Sequence, residues 1–404
     1  MALRAFTPRP SPIQPSSTKS PHGMPRTSRF AALALLAAAL PLSGQVSAQD
    51  AKDTISTRDG RKLRGVEVTE ALSTVVRYKR KSEQGELQSS MVTEIEWDGV
   101  PDSYSTALGA LRAGNFAEAA NQFLDAAGKV QRAPLKAECE FLAAEALARG
   151  AGKDAARAQE AAQRLEQWIS ANADGLRLPD AMLALGGAQT AAGSSEAAEG
   201  TFKKLGDEAI ARGWSQIWTA RAKIGLARAQ LARGDFGNAR STFRSTIAAA
   251  QSLQSADHVD PEIVQIEAEA LVGTGDSLVR EGKFDDALNY FRDDVGRKAT
   301  NPAIKAAARA GEGEAIFLKA QGAGNQTAEL RMAQIAFAEA NLLDTVGGET
   351  TAKALYYSGL VVLALGAERE GANFKQRAME YFDSVVREYG DTRFATLAAE
   401  ELKK

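Results

Sequence analysis

The chain has 404 residues, with 49 basic and 51 acidic side chains and a formal net charge of −2. It is too long for one ordinary hydrophobic core, and only 6% of its residues are aromatic. Residues 1–48 hold five basic residues and no acidic one, so the remainder carries a formal charge of about −7. This charge excludes a nucleic-acid-binding surface that covers the whole molecule.

Residues 1–48 have the composition of a cleaved export signal. Arg29 precedes an uncharged apolar run from Phe30 to Leu42, and small residues follow at 46–48, where a signal peptidase cuts. The run is short for a membrane-spanning helix, which favours a cleaved signal over an anchor. Met24 is an alternative start, because the Pro- and Ser-rich residues before it are unusual ahead of such a signal. We therefore expect an exported protein, periplasmic or extracellular, with no transmembrane segment after cleavage.

Residues 49–100 are predicted to form a small β module. Alternating segments within 54–78 and a longer segment at 87–97 predict four or five short strands. Asp59-Gly60 and Gln84-Gly85 are typical of turns between them. The pattern resembles SH3-like or Sm-like barrels, through Asp59-Gly60 and Val92-x-x-Ile95. So many short strands in so few residues predict a small, strongly bent sheet or barrel, and the resemblance favours the barrel.

A basic patch lies within this module. The segment from Arg58 to Lys81 holds eight basic residues against three acidic ones. Two interpretations stay open: a surface that binds anionic lipids or acidic envelope polymers, or a solvated sheet edge whose charges prevent aggregation. The residues of the patch at the end of this segment are Arg77, Lys79, Arg80 and Lys81.

Residues 101–404 follow a helical pattern that repeats. In seven places a small residue is followed seven positions later by glycine or alanine, with a mean period of about 42 residues. Such a period predicts stacked helical hairpins, none of which can bury its apolar face alone. We expect Gly275 and Ala287 to let two helices approach closely, with Phe291 filling the space between neighbouring hairpins. The pairs are Ala107/Gly114, Ala143/Gly150, Gly186/Gly193, Ala227/Gly234, Gly275/Gly282, Gly313/Ala320 and Gly359/Gly366.

The motif Gly275-x6-Gly282-Lys283-Phe284-Asp285-Asp286-Ala287-x3-Phe291 resembles a tetratricopeptide repeat. The resemblance covers residues 101–404 and implies an α-solenoid of about seven hairpins, with six to eight left open. In three units the turn between the two helices is longer, so the residues that pack the second helix against the first come later in the sequence. Those anchors are Ala161, Leu165 and Trp168, then Ala333, Phe337 and Ala340, then Ala378, Phe382 and Val385.

The C-terminal stretch from Tyr381 to Leu402 is similar to envelope proteins of the Tol–Pal coordinator and outer-membrane assembly type. That similarity implies a periplasmic scaffold. It also suggests that the last helix, which has a polar face, caps the solenoid.

Few residues could carry chemistry. Cys139 is the only cysteine, and its apolar neighbours favour a buried core position over a reactive thiol. His258 lies in an acidic segment, which favours a solvated loop over a weak metal site. One His and one Cys cannot build the common catalytic triads or zinc sites. We therefore expect no enzyme activity, no cofactor and no metal, although a peptidoglycan hydrolase with two distant carboxylates stays open.

Recognition is the remaining function. In tetratricopeptide proteins the first helix of each hairpin lines the concave surface, and the resemblance implies a groove that holds a partner peptide or helix. The first hypothesis is a non-catalytic, protein-binding scaffold of the cell envelope. The alternative is a protein that binds an envelope polymer or anionic surface through the basic patch, with the repeats as a spacer. The resemblance places these residues in the groove: Arg221, Arg228, Glu269, Asp276, Arg280, Glu314, Lys353 and Tyr356.

Overall fold

A computed structural model describes most of the chain from Lys52 onward. The segment from Gln49 to Lys404 forms one compact unit. The predicted signal at 1–48 and the predicted loop at His258 lie outside the described residues. The described residues are 52–152, 154–254, 260–344, 347–366, 373–390 and 392–404.

The N-terminal module is a five-stranded antiparallel sheet that stays open. Its order is β4-β3-β2-β1-β5, so β4 and β5 are edges and do not close on each other. The predicted barrel is therefore wrong, and the other alternative, a small sheet of short strands, is present. Ile55, Val66, Val68 and Val76 form its buried core. The strands are β1 (Asp53–Thr57), β2 (Lys62–Ala71), β3 (Val75–Arg80), β4 (Glu83–Gln88) and β5 (Val92–Glu96).

One predicted turn lies inside a strand. Gly85 belongs to β4 and pairs with Tyr78 on β3, and a Cβ on Gly85 would come within 2.5 Å of the Tyr78 ring. The glycine is thus required by the close approach of an aromatic ring across the strands. The chain reverses before it, where Lys81 adopts a φ of 55°.

The basic patch lies on an interior strand among acidic side chains. Because β3 is hydrogen-bonded to β2 and to β4, its lysines and arginines do not guard a sheet edge, contrary to one of the two interpretations. Arg77 pairs with Glu70 and with Glu86, the latter at 3.6 Å, and Lys79 lies opposite Glu67. Residues 52–98 hold nine basic and nine acidic residues, so the module carries no net charge.

The rest of the described chain is helical. Consecutive helices pair into seven hairpins, and a fifteenth helix packs on the last pair. The tetratricopeptide-like solenoid is therefore confirmed as an architecture. The helices are α1 (Asp102–Arg112), α2 (Phe116–Lys129), α3 (Ala133–Gly150), α4 (Ala155–Ala171), α5 (Leu178–Ala191), α6 (Ser195–Ala211), α7 (Gln216–Arg233), α8 (Phe236–Leu253), α9 (Pro261–Arg280), α10 (Phe284–Asn289, continued by a π-helical turn, Tyr290–Gly296), α11 (Pro302–Gly322), α12 (Thr327–Leu343), α13 (Glu349–Gly366), α14 (Phe374–Glu388) and α15 (Arg393–Glu401).

A phenylalanine held between two glycines joins one hairpin to the next. The ring of Phe291 lies against Gly275 of its own hairpin and Gly311 of the following one, where added Cβ atoms would come within 1.9 and 2.3 Å. Phe202 lies between two glycines, Gly186 and Gly225, in the same way. The ring fills the space that the missing side chains leave, so the predicted close approach at Gly275 is confirmed.

The sheet is attached to the solenoid by backbone and ionic contacts. The amide of Ser73 donates to the carbonyl of Asp174 at 2.7 Å, and that of Leu176 donates to Ala71 at 2.9 Å. Asp53, which has no exposed surface, forms an ion pair with Arg132 of the loop before α3. Sheet and hairpins therefore share one packed interface rather than being joined by a free linker.

Candidate functional site

A groove runs along the first helices of successive hairpins. It consists of three adjoining cavities of about 410, 720 and 280 Å³. The first, which we call the sheet-side cavity, lies between β5 and helices α5 and α7. The second, the middle cavity, is lined by α3, α5, α7 and α9, and the third, the inner cavity, lies between α9 and α13. Asp180, Arg221 and Glu262 line both of the first two, while Arg228 and Glu269 line both of the last two.

Three predicted groove residues line the sheet-side or middle cavity and are already paired. Arg221 forms an ion pair with Glu262 at 2.6 Å, and Arg228 forms one with Glu269 at 3.1 Å. Both pairs join α7 to α9 across one repeat. The two charges of each pair neutralise one another, so a ligand here meets side chains that are already paired. Exposed ion pairs of this kind contribute little to the stability of the fold.

Three other predicted groove residues form a buried network instead of a binding surface. Lys353 is 2% exposed, its Nζ lies 2.9 Å from Asp276 Oδ1, and it also pairs with Glu314. Arg393 of α15 reaches Asp276 at 3.1 Å, and the Tyr357 hydroxyl donates to Glu314 at 2.5 Å. Asp276 and Lys353 line the inner cavity, but with Glu314 they are engaged with one another rather than exposed, because α9, α11, α13 and α15 converge on them.

Burial and charge act in opposite directions on this network. Burial alone would raise the pKa of Asp276, but Lys353 and Arg393 lower it to about 2. Burial alone would lower the pKa of Lys353, but Asp276 and Glu314 raise it above its usual value. The groups are thus held in their charged forms, as a buried ion cluster requires.

The last two predicted groove residues lie elsewhere. Tyr356 is 8% exposed and packs at 5.8 Å, centroid to centroid, on both Phe382 and Phe394, so it belongs to the C-terminal core. Arg280 is exposed at the end of α9 and donates to the carbonyl of Leu231 at 3.5 Å. The groove that remains open is therefore its N-terminal half, between the sheet and α9.

Sequence reasoning missed the aromatic wall of the sheet-side cavity. Three of the four tryptophans of the chain, Trp97, Trp214 and Trp218, line it. The guanidinium of Arg221 lies 5.0 Å from the Trp218 ring centroid, a cation–π distance. The sequence signal for this wall was the position of Trp214 and Trp218 on either side of the start of a first helix, α7, just after Gly213.

A second missed group lies at the junction of the sheet-side and middle cavities. Arg177 donates to Glu138 through Nε at 2.9 Å and through Nη2 at 2.6 Å. Burial raises the pKa of the neighbouring Asp180 to about 6, despite the opposing charge of Arg177, and Glu145 adds to the rise. The groove thus contains one carboxyl group that titrates close to neutral pH.

The groove offers contacts rather than reactive groups. Among the described residues, no cluster of three or more His, Cys, Asp or Glu side chains could hold a metal ion. Cys139 is fully buried, and burial raises the pKa of its thiol to about 12, so the predicted core position is confirmed. Within the ranges that the structure describes, no helix is both long and apolar enough to cross a bilayer.

Comparisons add solved structures with a distant likeness. No family model matches the chain, and no curated protein gives a significant match in sequence. A Rap protein complexed with competence and sporulation factor is 15% identical, over 74% of this chain and 75% of that one, with a TM-score of 0.44. A tetratricopeptide repeat protein from Parabacteroides merdae is 14% identical over 75% and 98%, with a TM-score of 0.41. Apo RapI is 12% identical over 75% and 98%, with a TM-score of 0.44. At these scores the likenesses carry no argument about function.

Proposed function

We propose that the protein is a non-catalytic scaffold that holds an extended peptide or a partner helix in the N-terminal half of its groove. The observation that supports this most is the continuity of the sheet-side and middle cavities, which share Asp180, Arg221 and Glu262. The sheet-side cavity combines aromatic side chains with charged ones, and the middle cavity is mainly apolar; concave surfaces with this mixture suit extended peptides and partner helices.

We further propose that the scaffold works in the cell envelope after export. The support is the apolar run behind Arg29 and the small residues at 46–48. Cell fractionation with N-terminal sequencing of the mature protein tests this proposal. A protein that keeps residues 1–48 and stays in the cytoplasm would contradict it.

Binding to an anionic surface is not proposed. Arg77 is paired with Glu70 and Glu86, and residues 52–98 carry no net charge, so the module has no overall positive charge to attract an anionic surface. A contact of that kind would also weaken steeply with ionic strength, whereas an apolar groove contact would not.

Two glycines on one hairpin allow a matched test of the groove. Gly187 lines the middle cavity on α5 and Gly200 lies on α6, and an added Cβ at either meets nothing within 4 Å. Gly187→Trp should fill the cavity and abolish capture of peptides from an immobilised library of random dodecapeptides. Gly200→Trp should leave capture unchanged. Equal capture by both variants would show that the groove is not the binding surface.

A further inference from the structure

The sheet-side cavity is bordered by the edge of a β-strand. Strand β5 pairs with β1 on one side, and no described strand pairs with its other side. Glu94 and Ile95 both line the cavity. Successive side chains of a strand point to opposite faces, so a cavity that both residues line runs along the edge of β5 rather than over one face.

The opposite wall suits the side chains of an added strand. It is formed by apolar and aromatic residues at the start of α5 and α7, including Pro179, Trp214 and Trp218. An extended peptide paired with β5 would lie about 4.8 Å from it, and alternate side chains would meet this wall. Main-chain hydrogen bonds would then supply affinity, and the tryptophans would supply selectivity.

The charges of the cavity favour a basic ligand. Arg177 is neutralised by Glu138, and Arg221 is neutralised by Glu262. The third arginine of the cavity, Arg58, is paired at 3.7 Å with Asp260, a carboxylate that does not line the cavity. Glu94 is exposed, and no cation among the described residues forms an ion pair with it. Asp180 also lines the cavity and lies 3.8 Å from Arg177, so this one cation is shared by two carboxyl groups, Glu138 and Asp180.

We propose that β5 is a docking edge for an extended peptide with a central lysine or arginine between apolar residues, which adds to the sheet as a sixth strand and places its basic side chain beside Glu94. This inference rests on the proposed peptide-binding function and names the partner chemistry and the binding mode. The acidic residues of β5 also keep the free edge from pairing with uncharged strands.

The probe is a library of synthetic decapeptides with alternating apolar residues and a central Lys or Glu, titrated against the full chain by tryptophan fluorescence. Central-Lys peptides should bind at least about tenfold more tightly than central-Glu peptides. Glu94→Lys should remove or reverse that preference. Glu96→Lys is the matched control, because Glu96 lies on the same strand, faces Lys62 at 3.5 Å and does not line the cavity. It should change binding less than about twofold.

Backbone methylation tests the binding mode. An antiparallel added strand donates hydrogen bonds from alternate residues only, so N-methylation of one set of alternate amides should abolish binding while methylation of the other set is tolerated. Equal tolerance of both sets would overturn the strand-addition mode.

The remaining outcomes separate this inference from the proposed function. Binding that is lost in Gly187→Trp but unaffected by Glu94→Lys and by either methylation set would overturn the docking edge and leave the groove function standing. Binding of no peptide by the unmodified protein would overturn both. A dimer in sedimentation equilibrium that Glu94→Lys dissociates would show that the edge pairs with a second copy, which overturns the peptide assignment.

Discussion

At the residue scale, Gly275 tests the packing between hairpins. Replacing it with leucine would force a side chain into the ring of Phe291, whose Cζ lies 1.9 Å from the position of an added Cβ. The glycine and the ring are both buried, so the helices that hold them must separate. We therefore expect Gly275→Leu to lower the free energy of unfolding by about 3 kcal/mol. Urea denaturation followed by circular dichroism measures it.

The matched control is Gly200→Leu, at a helix position where an added side chain meets no atom within 4 Å. Glycine disfavours helix by about 1 kcal/mol, so this variant should be neutral or slightly more stable. Similar destabilisation of both variants would mean that leucine is unfavourable at either helix position, and that the contact with Phe291 does not decide the outcome.

The raised pKa of Asp180 predicts that the stability of the fold depends on pH. Its pKa is raised from 3.8 to about 6 by burial, so the folded state binds more protons than the unfolded state between these values. The stabilising effect of the bound proton is present below pH 4 and is lost as the pH rises to 6. Urea unfolding at several pH values should therefore show that Asp180→Asn removes a decline in stability across this window. An unchanged decline in Asp180→Asn would assign it to another group.

At the element scale, the network around Lys353 ties α9, α11 and α13 together. Lys353→Met would leave Asp276 and Glu314 buried without their shared cation, and we expect a loss of about 3–5 kcal/mol in the free energy of unfolding. Arg228→Met, which removes an exposed pair with Glu269, should cost less than about 1 kcal/mol. Equal losses in thermal or urea denaturation would contradict the difference in burial.

The sequence predicts contacts within a hairpin better than contacts between distant ones. The late anchors Leu165, Phe337 and Phe382 are buried as expected, because apolar spacing along one helix decides which face packs. Lys353 is buried against Asp276, which lies 77 positions earlier in the sequence. The two residues meet because three hairpins stack, and no local sequence pattern predicts that contact. Gly85 was misread for a related reason: its neighbour across the strand was unknown.

The same limit applies to the candidate site. Arg221, Arg228 and Glu269 line the middle cavity, where the repeat register turns the inward face of each first helix, and their contact with a ligand stays a prediction. The sheet-side cavity could not be predicted, since it depends on the sheet turning its free edge toward α5 and α7.

At the scale of the whole molecule, Asp53 decides how firmly the sheet is attached. It accepts hydrogen bonds from the amides of Val68 at 2.9 Å and Asp98 at 2.8 Å and pairs with Arg132. Asp53→Ala leaves these donors without a partner, and we expect a loss of about 3 kcal/mol. Hydrogen exchange should quicken in β1, β2 and β5 while α11 and α13 keep their rates, because these two helices lie several hairpins away from the sheet. Faster exchange throughout would contradict this independence.

The phenylalanine shared by two glycines also constrains how such an array can lengthen. Since Phe202 is seated by α5 and by α7 together, a duplicated hairpin must bring its own ring and must present a glycine notch to the ring before it. A copy of the α5–α6 hairpin would supply a ring and Gly186, but its α5 has Ala184 at the position that corresponds to Gly225 of α7, so it would meet only the first condition. A graft from another solenoid, whose first helix has a larger residue at the notch, would leave a clash at one junction and a void at the other.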